Sequence, residues 1–254
     1  MSELFSIQLQ NRQQQGRDGV WLDLPTTTEQ VQAALRQIGI SSDNPQGLFI
    51  SGYFAEEEKR FAISYNMVLA SNVDELNFLA SRLETLSTGE RAELNAALQA
   101  PQSELFSIGR ITDFPENVDY YVHLPDVHGP AQLGDYYLNR SGMVDMPEEW
   151  KGGIDTAQFG RYVAQQEKGV FTEYGFLVKS GDEWQKVHEG QPVPEEYRVL
   201  SFPAPEVLRD SANIPPPVQP ETEPQKVIPI ILNGKDSAER MKEITDRLET
   251  GIQE

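Results

Sequence analysis

The chain has 254 residues, enough for one large domain or two to three small ones, and its 38% hydrophobic content implies modest cores under a wet surface. Forty acids against 21 bases leave a formal charge of -19, which excludes a nucleic-acid binder working through a general basic surface. With no cysteine, disulfides, thiol catalysis and Cys-ligated zinc are excluded, and the chain suits a reducing cytoplasm. The first residues carry Glu3 and no long apolar core, and no stretch approaches the roughly 18 apolar residues of a membrane span. Neither a signal peptide nor a membrane segment is expected.

Phe5, Ile7 and Leu9 alternate with polar residues, and Val20-Trp21-Leu22 follows Gly19, which predicts two strands. Thr26 with Glu29 reads as a capping box opening a helix whose apolar face is Val31, Leu35 and Ile38. Asp43-Asn44-Pro45-Gln46-Gly47 stops that helix, and 48–54 reads as another strand. Residues 1–66 are thus expected to form a small α+β unit. From Ser71 the period becomes helical, with Leu76, Leu79, Leu83 and Leu86 at alternating spacings. Ser87 and Glu90 cap a second helix, which carries Leu94 and Leu98. Residues 67–112 are the expected helical middle.

A third unit, 113–202, is again α+β. Residues 118–124 read as a strand, 132–140 as a helix, and Asp155 caps a helix with Phe159, Tyr162 and Val163. Residues 170–178 and 184–187, joined by Lys179-Ser180-Gly181-Asp182, read as a hairpin extended by 197–202. Seven prolines in 203–225 predict a polyproline-type linker, and 226–254 form a separate tail with an apolar stretch at 227–232 and a helix opening at Ser237. The expected fold class is α+β: an elongated chain of three small consecutive units, a Pro-rich linker and a final helix. The hexapeptide SELFSI occurs at 2–7 and at 103–108, but nothing beyond it aligns, so no repeat architecture follows. The first copy is expected as strand, the second as the beginning of a helix.

None of the common phosphate-loop, dinucleotide, zinc-protease or serine-hydrolase motifs has the needed spacing. His123, His128 and His188 are the only candidate bases near neutral pH. His123 and His128 flank Pro125-Asp126, a donor set for a metal, with loop and strand-edge histidines as the alternative. Glu148-Glu149 has the residue types of a glycosidase pair, but it also suits the first turn of a helix after Pro147. Asp119-Tyr120-Tyr121 and Asp135-Tyr136-Tyr137 place aromatics beside charge of the wrong sign for stacking nucleic-acid bases, so core positions suit them better.

The distribution of acid is more telling. Residues 51–150 hold 17 acids against 6 bases, a net of -11, more than half the excess of the whole chain. One reading is a soluble acidic protein. The sharper one is a decoy for DNA, presenting carboxylates where a DNA-binding enzyme expects phosphates. Duplex DNA has one charge per roughly 1.7 Å of axis, so the net charge of one copy matches only about 32 Å of duplex. Imitating a longer site takes a dimer or an elongated shape.

A resemblance favours the decoy. Tyr136-Tyr137-Leu138-Asn139-Arg140-Ser141-Gly142, Met146-Pro147-Glu148-Glu149, Ile154-Asp155-Thr156-Ala157-Gln158-Phe159-Gly160-Arg161-Tyr162-Val163 and Val170-Phe171-Thr172-Glu173-Tyr174-Gly175-Phe176 follow in order and at the right gaps. This series resembles the ArdA antirestriction proteins of conjugative elements and phages. There a helix ending in YY-x-E-E-[ST]-G precedes a Pro-containing turn, an I-D-Y-x-A-Y-G-R-D-L helix and a strand with T-x-x-G. Leu76-Asn77-Phe78-Leu79-Ala80 and Trp21-Leu22-Asp23-Leu24 extend the likeness upstream, so it covers 4–178. Asn139-Arg140 and Tyr162 stand where the family often has acids, which dilutes the local charge.

The resemblance implies a non-enzymatic homodimer that needs no cofactor, binds type I restriction-modification enzymes as a DNA mimic and does not itself bind duplex DNA or membrane. An acidic scaffold of a mobile element, binding another host defence or transfer protein, is the alternative. The acids expected to stand for phosphates are Asp74, Glu75, Glu84, Glu90, Glu93, Asp113, Glu116, Asp119, Asp126, Asp135, Asp145, Glu148, Glu149 and Asp155. Replacing Asp74, Glu75, Glu84, Glu90 and Glu93 together is expected to leave the fold intact. Family dimer contacts fall on 142–156, where Met143, Val144, Met146 and Trp150 are the expected interface. In the tail, residues 241–252 resemble the opening helix of the single-strand-DNA-binding domain of ArdC antirestriction proteins.

Overall fold

The structure, a computed structural model, describes residues 3–14, 18–41, 47–101 and 103–200. The linker, the tail helix and the ArdC-like stretch lie outside the described residues, as do 201–202 of the strand expected at 197–202, whose described part is no strand, because Tyr197 ends a 3-10 turn over Glu195–Tyr197. The fold is α+β, with helices beside two antiparallel sheets. The described residues gather into two compact units, one drawn from 3–91, 104–116 and 185–200 and the other from 92–103 and 117–184.

The first unit is built on a sheet in which β1 (Phe5–Asn11) lies between β2 (Val20–Leu24) and β3 (Leu48–Phe54). Alternation puts Phe5, Ile7, Leu9, Leu22 and Leu24 on the buried face, where α1 (Thr28–Gln37) adds Val31 and Leu35. The outer face pairs Gln8 with both Trp21 and Gly52. The missing side chain at Gly52 lets the Trp21 ring lie over it, edge-on to Phe54 at 6.5 Å. The α1 capping box is Thr27 with Gln30, one residue later than expected. Thr26 is occupied elsewhere, since its N–H donates to the side-chain oxygen of Asn77 at 2.7 Å.

Next come α2 (Tyr65–Leu69), α3 (Val73–Glu84) and α4 (Thr88–Gln99). The expected stripe Leu76, Leu79, Leu83 and Leu86 is buried. Ser87 and Glu90 exchange hydrogen bonds as the box that opens α4, which begins in the first unit and ends in the second. The SELFSI copies diverge as expected. The first runs into β1, and in the second Ser107 caps α5 (Ile108–Thr112).

In the second unit, β6 (Gly175–Lys179) lies between β4 (Tyr121–Leu124) and β5 (Val170–Thr172). Residues 118–120 form a 3-10 turn rather than the start of a strand. The hairpin turn is also not at 179–182. It falls at Glu173-Tyr174, because Gly175 takes φ +120 and approaches the carbonyl of Leu124 too closely for any side chain. The Thr172 hydroxyl locks the turn by donating to the Gly175 carbonyl at 2.9 Å and accepting from the Tyr174 N–H at 3.1 Å. Ser180 instead extends the pairing with β4, its N–H reaching the Tyr120 carbonyl at 2.9 Å. Residues 184–187 are not a strand, and Trp184 sets its ring edge-on to Tyr120 at 5.1 Å.

The helical layer of this unit is α6 (Pro130–Asp135), a π-type turn over Tyr136–Arg140, α7 (Glu148–Lys151) and α8 (Thr156–Glu167). Helices α6 and α8 touch backbone to backbone. A Cβ on Gly134 runs into the carbonyl of Thr156, and one on Gly160 into that of Pro130. Leu133, Tyr137, Leu138, Phe159, Val163 and Phe176 fill the core below this crossing.

Candidate functional site

The acids divide sharply by what their carboxylates already do. In the first unit Asp113 is fully buried at 0% exposure, and its oxygens accept the N–H groups of His188 at 2.6 Å and Glu189 at 3.3 Å. That removes it from the expected phosphate-like set, because a target's cations cannot reach it. Asp74 is half-buried and accepts the N–H groups of Val199 at 2.7 Å and Leu200 at 2.8 Å. Burial raises its pKa against the lowering effect of those bonds.

Both aspartates therefore pin the irregular 185–200 segment to the helices. Arg110 adds to this by reaching Glu104 at 2.7 Å and Glu189 at 3.0 Å, and Phe78 by packing on the rings of His188 and Tyr197. Glu75 caps α3 with Asn72, and Glu90 caps α4 with Ser87, whose hydroxyl and N–H hold the Glu90 carboxyl below its ordinary range. Glu116 is paired with Arg82. None of the five acids chosen for joint replacement is fully exposed. Three of them hold helix ends or a backbone segment, which corrects the expectation that all five are dispensable to the fold.

The second unit carries the freer charge. Asp119, Asp126, Asp145, Glu148, Glu149 and Asp155 are exposed, while Glu93 and Asp135 are half-buried. Asp155 also caps α8, accepting from Ala157 at 2.9 Å and Gln158 at 3.0 Å. Glu148 meets Lys151 at 3.0 Å, a surface pair of small energetic weight. Asp135 is bound by Asn139 at 2.9 Å and Arg140 at 2.7 Å, and these bonds lower its pKa. Two of the three residues that stand where the family often has acids, Asn139 and Arg140, thus also engage a neighbouring acid.

The four apolar residues expected at an interface behave differently from one another. Met143, Val144 and Met146 pack against the unit's own core, whereas Trp150 is 64% exposed. The segment therefore packs these three side chains, partly buried, against its own unit's core, and of the four Trp150 alone is exposed. His123 donates from Nε2 to the Tyr174 carbonyl at 2.7 Å, and burial lowers its pKa, while His128 is exposed. Among the described residues no three His, Cys, Asp or Glu side chains converge on one point. No helix among them is long and apolar enough to cross a membrane.

One polar pair escaped the reading of the sequence. Glu167 ends the buried stripe Phe159, Val163, Glu167 at four-residue spacing, and the Tyr137 hydroxyl lies 2.8 and 2.9 Å from its two oxygens. Burial pushes the Glu167 carboxyl up to about 7, and the Tyr137 hydrogen bond only partly opposes this. The signal was present, since an acid on the apolar side of an amphipathic helix needs a buried partner.

No curated protein matches the chain. A family model described as Antirestriction protein (ArdA) matches residues 15–178, from just before β2 into the β5–β6 hairpin, leaving β1 outside the match. That span covers more than half of the sequence and contains the helix, turn, helix and hairpin series on which the resemblance rests, so the chain belongs to the ArdA antirestriction family.

Proposed function

We propose that this ArdA-family chain inhibits type I restriction-modification enzymes as a DNA mimic, laying its carboxylates along the groove that holds DNA and so blocking access to it. The observation that carries the reading is the set of exposed carboxylates in the second unit, Asp119, Asp126, Asp145, Glu148, Glu149 and Asp155, the first five of which lie within the stretch 51–150 whose net charge is -11. A basic channel attracts such a surface at long range and loses that attraction when salt screens it over about 10 Å at 0.1 M. Nothing in this action needs a cofactor or a bond-making step.

The test is joint neutralisation of acids that hold no backbone. Asp119→Asn, Asp126→Asn, Asp145→Asn, Glu148→Gln and Glu149→Gln together are expected to weaken inhibition of a type I enzyme at least tenfold. The circular dichroism spectrum stays unchanged, because exposed charges contribute little to stability. Each single change is expected to alter inhibition by about twofold or less, since a spread field is redundant. Undiminished inhibition by the fivefold variant removes mimicry.

The proposal includes a homodimer, because one copy's charge spans too little duplex and a two-fold pairing doubles it. With Met143, Val144 and Met146 turned inward, Trp150 is the interface anchor, in keeping with the enrichment of Trp at interface centres. Sedimentation at tens of micromolar is expected to give a dimer for the wild type. Trp150→Ala, which does not reach the core, is expected to raise the dissociation constant at least tenfold. A wild type that sediments as a monomer contradicts this.

A further inference from the structure

The outer face of the first unit's sheet leaves aromatic surface open. Trp21 is 49% exposed and Phe54 56%, and their rings meet edge-on. A single exposed apolar residue needs no explanation, but two large rings held against each other in the open mark a contact site. β2 is also an outer strand of this sheet, and among the described residues it pairs with β1 alone. A groove of about 220 Å³ follows that edge, between residues 20–23 of the strand and Gln30, Ala33, Ala34 and Gln37 of α1. An extended segment fits such an edge as a further strand. Main-chain bonds hold it, and its side chains point alternately into the groove and onto the outer face.

Charge decides which segment fits. Asp23 is exposed two positions from Trp21 and so shares its face, and its carboxylate accepts the Ser6 hydroxyl at 2.9 Å. Glu3 lies 3.3 Å from that same hydroxyl, which has one proton to give. None of the three strands contains a Lys or Arg, so the sheet itself brings no cation to these acids. On an added strand, a side chain opposite Trp21 lies about 5 Å away and has Asp23 as its diagonal neighbour at about 7 to 8 Å, within reach of a long side chain. Arginine suits both positions, because a guanidinium stacks on an indole and pairs with a carboxylate. The groove side, with two alanines in its helix wall, takes apolar side chains. A second copy brings its own Asp23 and a charge of -19 to this edge, which disfavours self-pairing.

We propose that the outer edge of β2 is a docking site for an extended segment of a basic partner protein, with an arginine lying on Trp21 and reaching Asp23 and with apolar side chains seated against α1. The site goes beyond the mimicry reading. It lies in the first unit and uses none of the second unit's carboxylates, so the two stand or fall separately.

A blocked peptide of alternating valine and arginine, about seven residues long, is the probe, added to the full chain and followed by NMR. The Trp21 indole and the amides of 20–24 are expected to shift and to saturate with a dissociation constant below about 1 mM, while the indoles of Trp150 and Trp184 stay in place. The same peptide with glutamate for arginine is expected to leave the Trp21 indole unmoved. Trp21→Ala, at an exposed position, is expected to weaken binding at least fivefold and Asp23→Asn about threefold, with the remaining amides of the sheet undisturbed. An unmoved Trp21 indole, equal binding of the two peptides, or undiminished binding by either variant overturns the proposal. So does a Trp21 indole that shifts with protein concentration alone, which assigns the edge to a second copy.

Discussion

Replacing Glu167 by Gln is expected to remove a fall in stability that the wild type suffers as pH rises from 5 to 8. The carboxyl sits in the core of the second unit with the Tyr137 hydroxyl across both oxygens. Burial raises it from an ordinary 4.5 to about 7. A carboxyl that is raised on folding binds its proton more tightly in the folded than in the unfolded chain. Its contribution is therefore fully present below about pH 4.5 and is lost as pH climbs through about 7. At full ionisation the difference is worth about 3 kcal/mol, a large fraction of a small unit's stability. Gln keeps an oxygen for Tyr137 and carries no charge. Urea midpoints measured from pH 5 to 8 are expected to converge at the acid end and to favour Glu167→Gln increasingly toward pH 8. Parallel curves for the two proteins contradict this account of the buried pair.

The helical stripes and two of the caps were legible because each is a local device. Ser87 with Glu90 and Asp155 before α8 need only three or four neighbouring residues to declare themselves. The α1 box moved by one residue because Thr26 has a tertiary partner 51 positions away in Asn77. The β5–β6 turn was misplaced for a related reason. Lys179-Ser180-Gly181-Asp182 has turn composition, but the close approach that demands Gly175 comes from Leu124, on a strand far off in sequence. Composition marks where a chain is able to turn, and packing selects among those places.

The site was legible as a charge field and not as a set of residues. The excess of acid and its concentration in 51–150 are visible in the sequence, but the fate of each carboxylate depends on amides brought from a distance. Asp74 and Asp113 look like any surface acids until the 185–200 segment returns to donate its N–H groups across separations of 125 and 75 positions. The apolar residues of 143–150 were ambiguous in the same way. Their spacing could not distinguish Met143, Val144 and Met146, which turn inward, from Trp150, which does not. The family series was legible because it combines order, gaps and residue type over four consecutive elements, which a charge count does not.

Competition with DNA is the second large effect to be expected, and it decides the central claim. A type I enzyme carrying labelled duplex DNA is titrated with this protein at about 50 and 200 mM salt. DNA ligands with 6 to 10 phosphate contacts lose roughly 1,000-fold or more in affinity over such a range, and carboxylates, which condense fewer counterions, are expected to lose about 100-fold. The account predicts that the protein displaces all of the DNA from one shared site, and that its own affinity falls by that factor at the higher salt. A ternary complex in which enzyme, DNA and this protein coexist, or an affinity indifferent to salt, contradicts it.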